Sequence, residues 1–167
     1  MSSDDGPVSF RRICADDEPL LALWLAEPHV REWWGEPGRE IELIREGEST
    51  GETQGYLGFV AARPVAYVQA WTPGAESDGE WQLCVPRTAR GVDMFVGPPD
   101  CLGQGIGSRV LRAFADKLFG EGIPQLFIDP DVANPRAIRA YERAGFRRFA
   151  LAGRNRDTVL MDLVCDH

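Results

Sequence analysis

The sequence predicts an α/β domain with a mixed central sheet of about six or seven strands flanked by helices. Three observations predict it. Short β-branched and aromatic runs alternate with segments of helical period along the chain. Their order, strand, helices, three strands, helix, strand, helix and two strands, is consistent with a mixed sheet. At 167 residues and 44% hydrophobic content the chain can bury one sizeable core but has little room for two. Residues 8–167 therefore read as a single domain behind a polar, disordered N-terminus of residues 1–7.

The elements follow in order. Residues 8–13 read as the first strand, and Asp16 or Asp17 followed by Pro19 offers an N-cap ahead of the helical run 20–25. Pro28 breaks that run, and residues 29–34 are expected to make a second short helix. Residues 35–55 are so rich in Gly, Glu and polar side chains that most of the stretch is expected to face solvent or move, with a helical piece around Ile41-Glu42-Leu43-Ile44. Residues 56–62 and 65–71 flank Arg63-Pro64 at hairpin spacing and should pair antiparallel, although proline in the turn argues against the tightest primed types. An acidic loop at 73–80 leads to the next strand, 91–96.

In the second half, Ile106, Val110, Leu111, Phe114, Ala115 and Leu118 recur at helical spacing, and Gly120-Glu121-Gly122 closes that helix. Residues 125–128 form a short buried strand. Asn134 and Pro135 stand as N-cap and first-turn residue of another helix, which Gly145 ends as its left-handed residue. Residues 147–151 and 158–163 make a final hairpin around 153–157. If the last strand lies at the sheet edge it is available for pairing between subunits, so a monomer and a homodimer both remain open.

Composition narrows the function. No apolar run approaches the roughly 18 residues of a membrane helix, and the first residues lack signal-peptide character, so a soluble cytoplasmic protein without a membrane partner is expected. Cys14, Cys84, Cys101 and Cys165 are scattered without a CxxC pair beside only 2 histidines, which suggests reduced thiols and neither a metal site nor a disulfide framework. A net charge of -8 disfavours nucleic acid and favours a cationic partner, unless the acidity serves only solubility.

The chemistry concentrates between Gly91 and Phe146. Leu102-Gly103-Gln104-Gly105-Ile106-Gly107-Ser108 sits where a helix begins, so free backbone N–H groups and the positive end of the helix dipole can hold a pyrophosphate. A P-loop is excluded because no Gly-Lys-Ser/Thr follows. A dinucleotide fingerprint fits poorly, because the last glycine position is Ser108 and the loop starts several residues after the strand. A glycine-rich turn without ligand is the remaining alternative. Asp93 places an acid inside the apolar run Val92 to Val96, so it must face a wet cleft, pair with a cation or titrate high. Asp129, after a buried strand and before Pro130, stands at an ordinary turn position. Tyr141 either packs with Ile138 on the inner helix face or donates a proton. Trp33, Trp34 and Trp81 could supply flat walls for a ring, with the negative charge of Glu76, Asp78 and Glu80 at the rim, although core packing explains a tryptophan as well. Cys101 as a nucleophile lacks a histidine nearby in sequence.

This order of residues, through Asp129-Pro130 and Asn134-Pro135-Arg136-Ala137-Ile138-Arg139-Ala140-Tyr141 to Gly145-Phe146, resembles the acetyl-CoA site of the GNAT N-acetyltransferases. Within them it is most similar to the aminoglycoside 6'-N-acetyltransferases, with the siderophore hydroxamate acetyltransferases as relatives. The resemblance implies a GNAT (acyl-CoA N-acyltransferase) fold, acetyl-CoA as co-substrate, no metal, and direct transfer to a small cationic amine. It further implies that the backbone around Phe95 and Val96 pairs with the pantetheine arm and that Leu102, Gly103, Gln104, Gly105, Ile106, Gly107 and Ser108 hold the pyrophosphate. Asn134 would lie near the cofactor, with capping of its own helix a sufficient structural reason for it. Asp93 would orient and deprotonate the amine, Tyr141 would protonate the departing thiolate, and Trp34, Trp81 and Asp129 would contact the acceptor. Two positions depart from the general pattern, Leu102 where Gln or Arg is usual and Met94 where Gln usually follows the acid. The competing readings are a siderophore-type hydroxylamine acetyltransferase, which generally carries His in place of Asp93, and an acyl-CoA sensor without turnover.

Overall fold

In the computed structural model, which describes residues 5–74 and 85–166, the β-prone segments close into one seven-stranded sheet of order β1-β2-β3-β4-β5-β7-β6. Its strands are β1 (Val8–Arg12), β2 (Thr53–Val60), β3 (Arg63–Trp71), β4 (Arg90–Val96), β5 (Gln125–Ile128), β6 (Arg147–Ala152) and β7 (Thr158–Val164). All neighbours run antiparallel except β4 and β5, which are parallel, so the sheet is mixed as expected. β7 lies between β5 and β6, so the last strand is internal and the free edges are β1 and β6. Pairing between subunits through residues 158–163 is thereby ruled out, because both sides of β7 already carry a neighbouring strand.

Five helices pack on the two faces: α1 (Glu18–Leu25), α2 (Pro28–Trp34), α3 (Pro37–Thr50), α4 (Ile106–Gly120) and α5 (Pro135–Arg143). α3 is the largest departure from the sequence reading, because most of the polar stretch is one helix and its last residues already belong to β2. Its start is fixed by the Glu36 carboxylate, which accepts from the Gly38 and Arg39 N–H groups at 3.0 and 2.8 Å. Its end is fixed by Gly51 in the left-handed region. Ile44 is buried and Ile41 packs beside it; the remaining polar residues form the solvated faces. Asp17, anticipated as a cap, makes no cap bond to α1; it pairs with Arg11 through two hydrogen bonds of 2.8 and 3.0 Å. The β2–β3 turn is Ala61 and Ala62, with Ala61 at φ 52°, while Arg63 and Pro64 already belong to β3, whose register against β2 shifts between Gly58 and Phe59 with Val65 as the extra residue. Gly6 and Pro7, placed in the disordered terminus by the sequence, are held instead: the Gly6 carbonyl accepts from Arg109, and the Pro7 carbonyl from the Ala61 N–H. Cys14, Cys101 and Cys165 are in no disulfide, and no described helix is long and apolar enough to cross a membrane.

Alternation along β4 divides the core. Val92, Met94 and Val96 point to the face covered by α4 and α5, where Val110, Phe114 and Ile138 are buried. Phe95 points to the other face, against Trp24, Trp34 and Tyr67 beneath α1 to α3. Gly91 shares that second face and sits opposite Trp71 on β3. A Cβ there would fall 1.9 Å from the Trp71 ring. Gly91→Ala is therefore expected to push the indole aside and cost about 1–3 kcal/mol of stability, as overpacking does. The denaturant midpoint checks this, and an unchanged midpoint would refute it.

One feature of the sheet makes room for a site. β4 and β5 share only the pairs Arg90–Leu126 and Gly91–Phe127. Beyond Ile128 the chain stays with β7, through the Val159 N–H bond to the Pro130 carbonyl at 2.9 Å and the Asp131–Thr158 bridge. β4 continues to Val96 on its own, so a wedge opens between the two halves of the sheet.

Candidate active site

The wedge leads into a cavity of about 1010 Å³ bounded by α2, α3, β4, the glycine loop, the end of β5 and α5. Its cofactor-like side begins with the edge of β4. The Gly97 N–H bonds the Val65 carbonyl at 2.9 Å, which sets the parity of the β3–β4 ladder. Hydrogen-bonded and non-bonded pairs alternate, so Asp93 and Phe95 spend their backbone groups on β3 while Met94 and Val96 turn theirs toward the wedge. The expected edge is thus offered by Met94 and Val96, with Phe95 committed to Tyr67 across the ladder.

The loop then opens α4 as its glycines require. Gly103 and Gly105 take φ of 74° and 75°, with nothing within 4 Å of where a side chain would stand, so the backbone is open to the cavity. Leu102, Gly103, Gly105, Ile106, Gly107 and Ser108 all line it. Gln104 does not; its amide donates to the Asp100 carbonyl at 2.6 Å, and Asp100 is gripped in turn by Arg63 through two bonds of 2.8 Å. The Ser108 hydroxyl donates to the Ala140 carbonyl at 3.0 Å, which leaves its backbone N–H as the group available to a phosphate and ties α4 to α5. Asn134 caps α5 by accepting from the Ala137 N–H at 3.2 Å and lines the cavity as well. Arg136, Arg139 and Arg143 line the same side at i, i+3 and i+7. A cavity wall of helix N-terminus and three guanidinium groups suits a polyanion.

The opposite side is acidic. Asp93, Asp129 and Glu40 are half-buried and line the cavity, together with Tyr141. The Asp93 carboxylate accepts from the Gln69 amide at 2.9 Å, and the Gln69 carbonyl accepts from the Tyr67 hydroxyl at 2.7 Å. Trp71 also bonds Asp93 from the same face of β3. Burial pushes the Asp93 carboxyl above the ordinary range, against the downward pull of the Gln69 and Trp71 bonds. Burial, with the charge of Asp93, pushes Asp129 up to about 7. Burial raises the Tyr141 phenol, and the charges of Asp93 and Asp129 raise it further. Glu40 is raised by burial chiefly, with Asp93 adding to it. Two carboxyls and a phenol that sense one another's charge share one end of the cavity.

Trp34 lines the cavity from α2, with its ring 5.0 Å from Phe95 and 6.1 Å from Tyr67 in edge geometry. Trp81, Glu76, Asp78 and Glu80 lie outside the described residues. Cys101 is buried beside the loop and lines the cavity. Sequence reasoning missed Gln69, Trp71, Glu40, His29 and the three arginines. Gln69 carried the signal that singled out Asp93, a polar residue inside an apolar strand, and the arginines carried helical spacing. Glu40 was hidden in a stretch read as loop.

Comparison with known proteins gives relatives of one kind. An aminoglycoside N(6')-acetyltransferase type 1 of Klebsiella pneumoniae is 28% identical over 156 residues, covering 89% of this chain and 78% of that protein. A kanamycin resistance protein of Rhizobium radiobacter is 36% identical over 69 residues, 41% of this chain and 64% of that protein. The structure of AAC(6')-Ib in complex with parmomycin and acetyl-CoA superposes with a TM-score of 0.85 at 27% identity, over 96% of this chain and 94% of the other. The Acetyltransferase (GNAT) domain family matches residues 14–152. With that match over most of its length and the fold on which it rests, this chain belongs to the GNAT acetyltransferases.

Proposed function

We propose that this protein transfers the acetyl group of acetyl-CoA to the 6'-amino group of an aminoglycoside, by direct attack with both substrates bound. The observation that carries the reading is the division of one cavity into a cationic side and an acidic end, joined by the open edge of β4. The helix N-terminus and the arginines of α5 would hold the pyrophosphate, with the loop backbone and Asn134 beside it. The amide-bearing arm would lie along Met94 and Val96 as an added strand, carrying the thioester toward Asp93. That direction fits the chain, because the loop follows the C-terminal end of β4.

At the acidic end Asp93 and Asp129 would bind the ammonium, with the Trp34 ring as a flat wall. Asp93 accepts one proton from the ammonium, and the free amine attacks the thioester carbonyl. The intermediate collapses as the C–S bond breaks, the sulfur takes the Tyr141 proton, and the nitrogen gives up its surplus proton to restore the phenol. A neutral acceptor such as a hydroxylamine would leave the Asp93 and Asp129 carboxyls without a counter-ion, so the geometry favours a cation. Pure binding without turnover would leave the Gln69 and Trp71 support of Asp93 unexplained.

Ionisation of the carboxyls gives a pH prediction. Asp129 is neutral below about 7 and charged above it, so attraction for an ammonium grows as pH rises through that value. The kcat/KM for the amine should therefore rise with a limb near pH 7, a limb that belongs to the Asp93–Asp129 pair. Asp129→Asn removes a like charge from Asp93, so the limb should move to lower pH on a reduced plateau. A limb that stays in place in the variant would exclude Asp129 from the pair.

The test of function is acetyl-CoA consumption against kanamycin-type aminoglycosides, polyamines and N6-hydroxylysine, with the product identified by mass and the acetylated position by NMR. Acetylation at a 6'-amine supports the reading. Turnover confined to polyamines or hydroxylysine would overturn the acceptor, and CoA binding without turnover would overturn the enzymatic role.

A further inference from the structure

His29 stands in the first turn of α2, half-buried in the cavity wall, with Nε2 2.9 Å from the carbonyl oxygen of Val96. A carbonyl only accepts, so this nitrogen carries the proton. By the parity of the β3–β4 ladder, the Val96 carbonyl points away from β3, into the wedge that β5 has left. Met94 and Val96 together present an N–H and a C=O each along that edge, and His29 has taken the last of the four. α2 is held in place by Trp34 against Phe95, so the reach of His29 is fixed by packing.

We propose that His29 is a positioning residue that sets the register of the cofactor's arm on β4. An extended arm laid along the edge from its pyrophosphate end meets an occupied acceptor at Val96, then Val96 N–H, Met94 C=O and Met94 N–H, all unclaimed by the sheet. Ladder positions of one kind recur every two residues, about 6.8 Å along a strand. With the His29 imidazole standing against the Val96 carbonyl and using one of its lone pairs, the favoured register of the arm is the one that uses the remaining three groups, and that register sets how far the thioester reaches toward Asp93. The inference rests on the acetyl-CoA reading of the cavity.

Kinetics and binding separate this role from simple packing. In His29→Ala the freed carbonyl admits a shifted arm, so kcat should fall by at least about 10²-fold, since a misplacement of reacting groups far smaller than a register step already costs that much. The dissociation constant for CoA, measured by calorimetry, should change little, because the pyrophosphate site is intact. His29→Gln, whose amide can donate to the same carbonyl, should recover much of the rate. Independently, the 2 histidines of the chain, His29 and His167, can be followed by nitrogen NMR in the unaltered protein. The His29 Nε2–H should stay hydrogen-bonded when CoA is added. An imidazole that releases Val96 on CoA binding, an alanine variant with full kcat, or one that binds CoA more tightly at unchanged kcat would each overturn the proposal. Failure of the unaltered protein to bind CoA is a different result: it removes the cofactor reading, and the assignment of His29 falls with it.

Discussion

Asp93→Asn is expected to lower kcat/KM for the amine by 10²- to 10⁴-fold, the range for loss of a general base, while CoA binding is retained. The wild-type carboxylate takes a bond from Gln69, another from Trp71, and still has lone pairs for an ammonium. Asparagine keeps the size but presents one acceptor oxygen and an NH₂ group, which meets the Gln69 donor or the cationic substrate unfavourably. It also cannot take a proton. Burial raises the Asp93 carboxyl toward the range in which it can receive a proton from an ammonium, and this is what the amide discards. Steady-state rates across pH, with calorimetry of CoA as the control for folding and for the phosphate side, decide the matter. An unchanged amine rate would remove Asp93 from the chemistry.

Tyr141→Phe should reduce kcat by about 10²-fold, the low end of general acid catalysis, with a smaller effect on the KM of either substrate. The ring packs against the core beneath α5, and phenylalanine preserves that packing, so stability should be nearly unchanged. The hydroxyl, raised by burial and by the two carboxyls, holds its proton across the working pH range and, in the proposed reading, would meet the sulfur as a donor. It is a weaker acid than a free phenol, and it would become a useful one as the carbon–sulfur bond breaks, with Asp93 neutralised by the proton it has taken and the cationic nitrogen of the intermediate offsetting Asp129. Since the carboxyls and not the phenol set the neutral limb, the variant should retain the rise near pH 7 at a reduced height. Full turnover in the variant would assign Tyr141 to packing alone.

Much of this was readable in the sequence because the relevant signals are local. The glycine loop, the Asn134-Pro135 start of α5 and the Gly145 end each determine a short stretch of backbone, and each stands where its residues indicated. Asp93 was conspicuous as a charge among apolar neighbours. What escaped was set by distant pairing. Gln69 reaches Asp93 only through the register that places them opposite each other on β3 and β4. Glu40 enters the cavity because a glutamate capped α3, a weaker signal than the Ser, Thr, Asp and Asn caps that sequence patterns favour. The free side of Met94 and Val96, in place of Phe95, depends on ladder parity, which a single bond at Gly97 determines and no composition reveals. The internal place of β7 likewise follows from the β5–α5–β6 connection, which carries β6 one position past β5 so that the hairpin returns β7 between them, and hairpin spacing alone leaves this undetermined.

The narrow join between β4 and β5 bears on the order in which substrates arrive. Within the sheet only two ladder pairs connect β1 to β4 with β5 to β7; beneath it the two parts share one core through α4, and the Ser108–Ala140 bond ties α4 to α5. Trp34, Glu40 and Asp93 belong to the first part, Asp129 and Tyr141 to the second. An arm seated in the wedge, as proposed, would bridge the gap between β4 and the β5 side and hold Asp93 and Asp129 at a fixed separation before any amine is present. A sequence of addition with the thioester first is then the expected kinetic counterpart of a sheet left open in its middle.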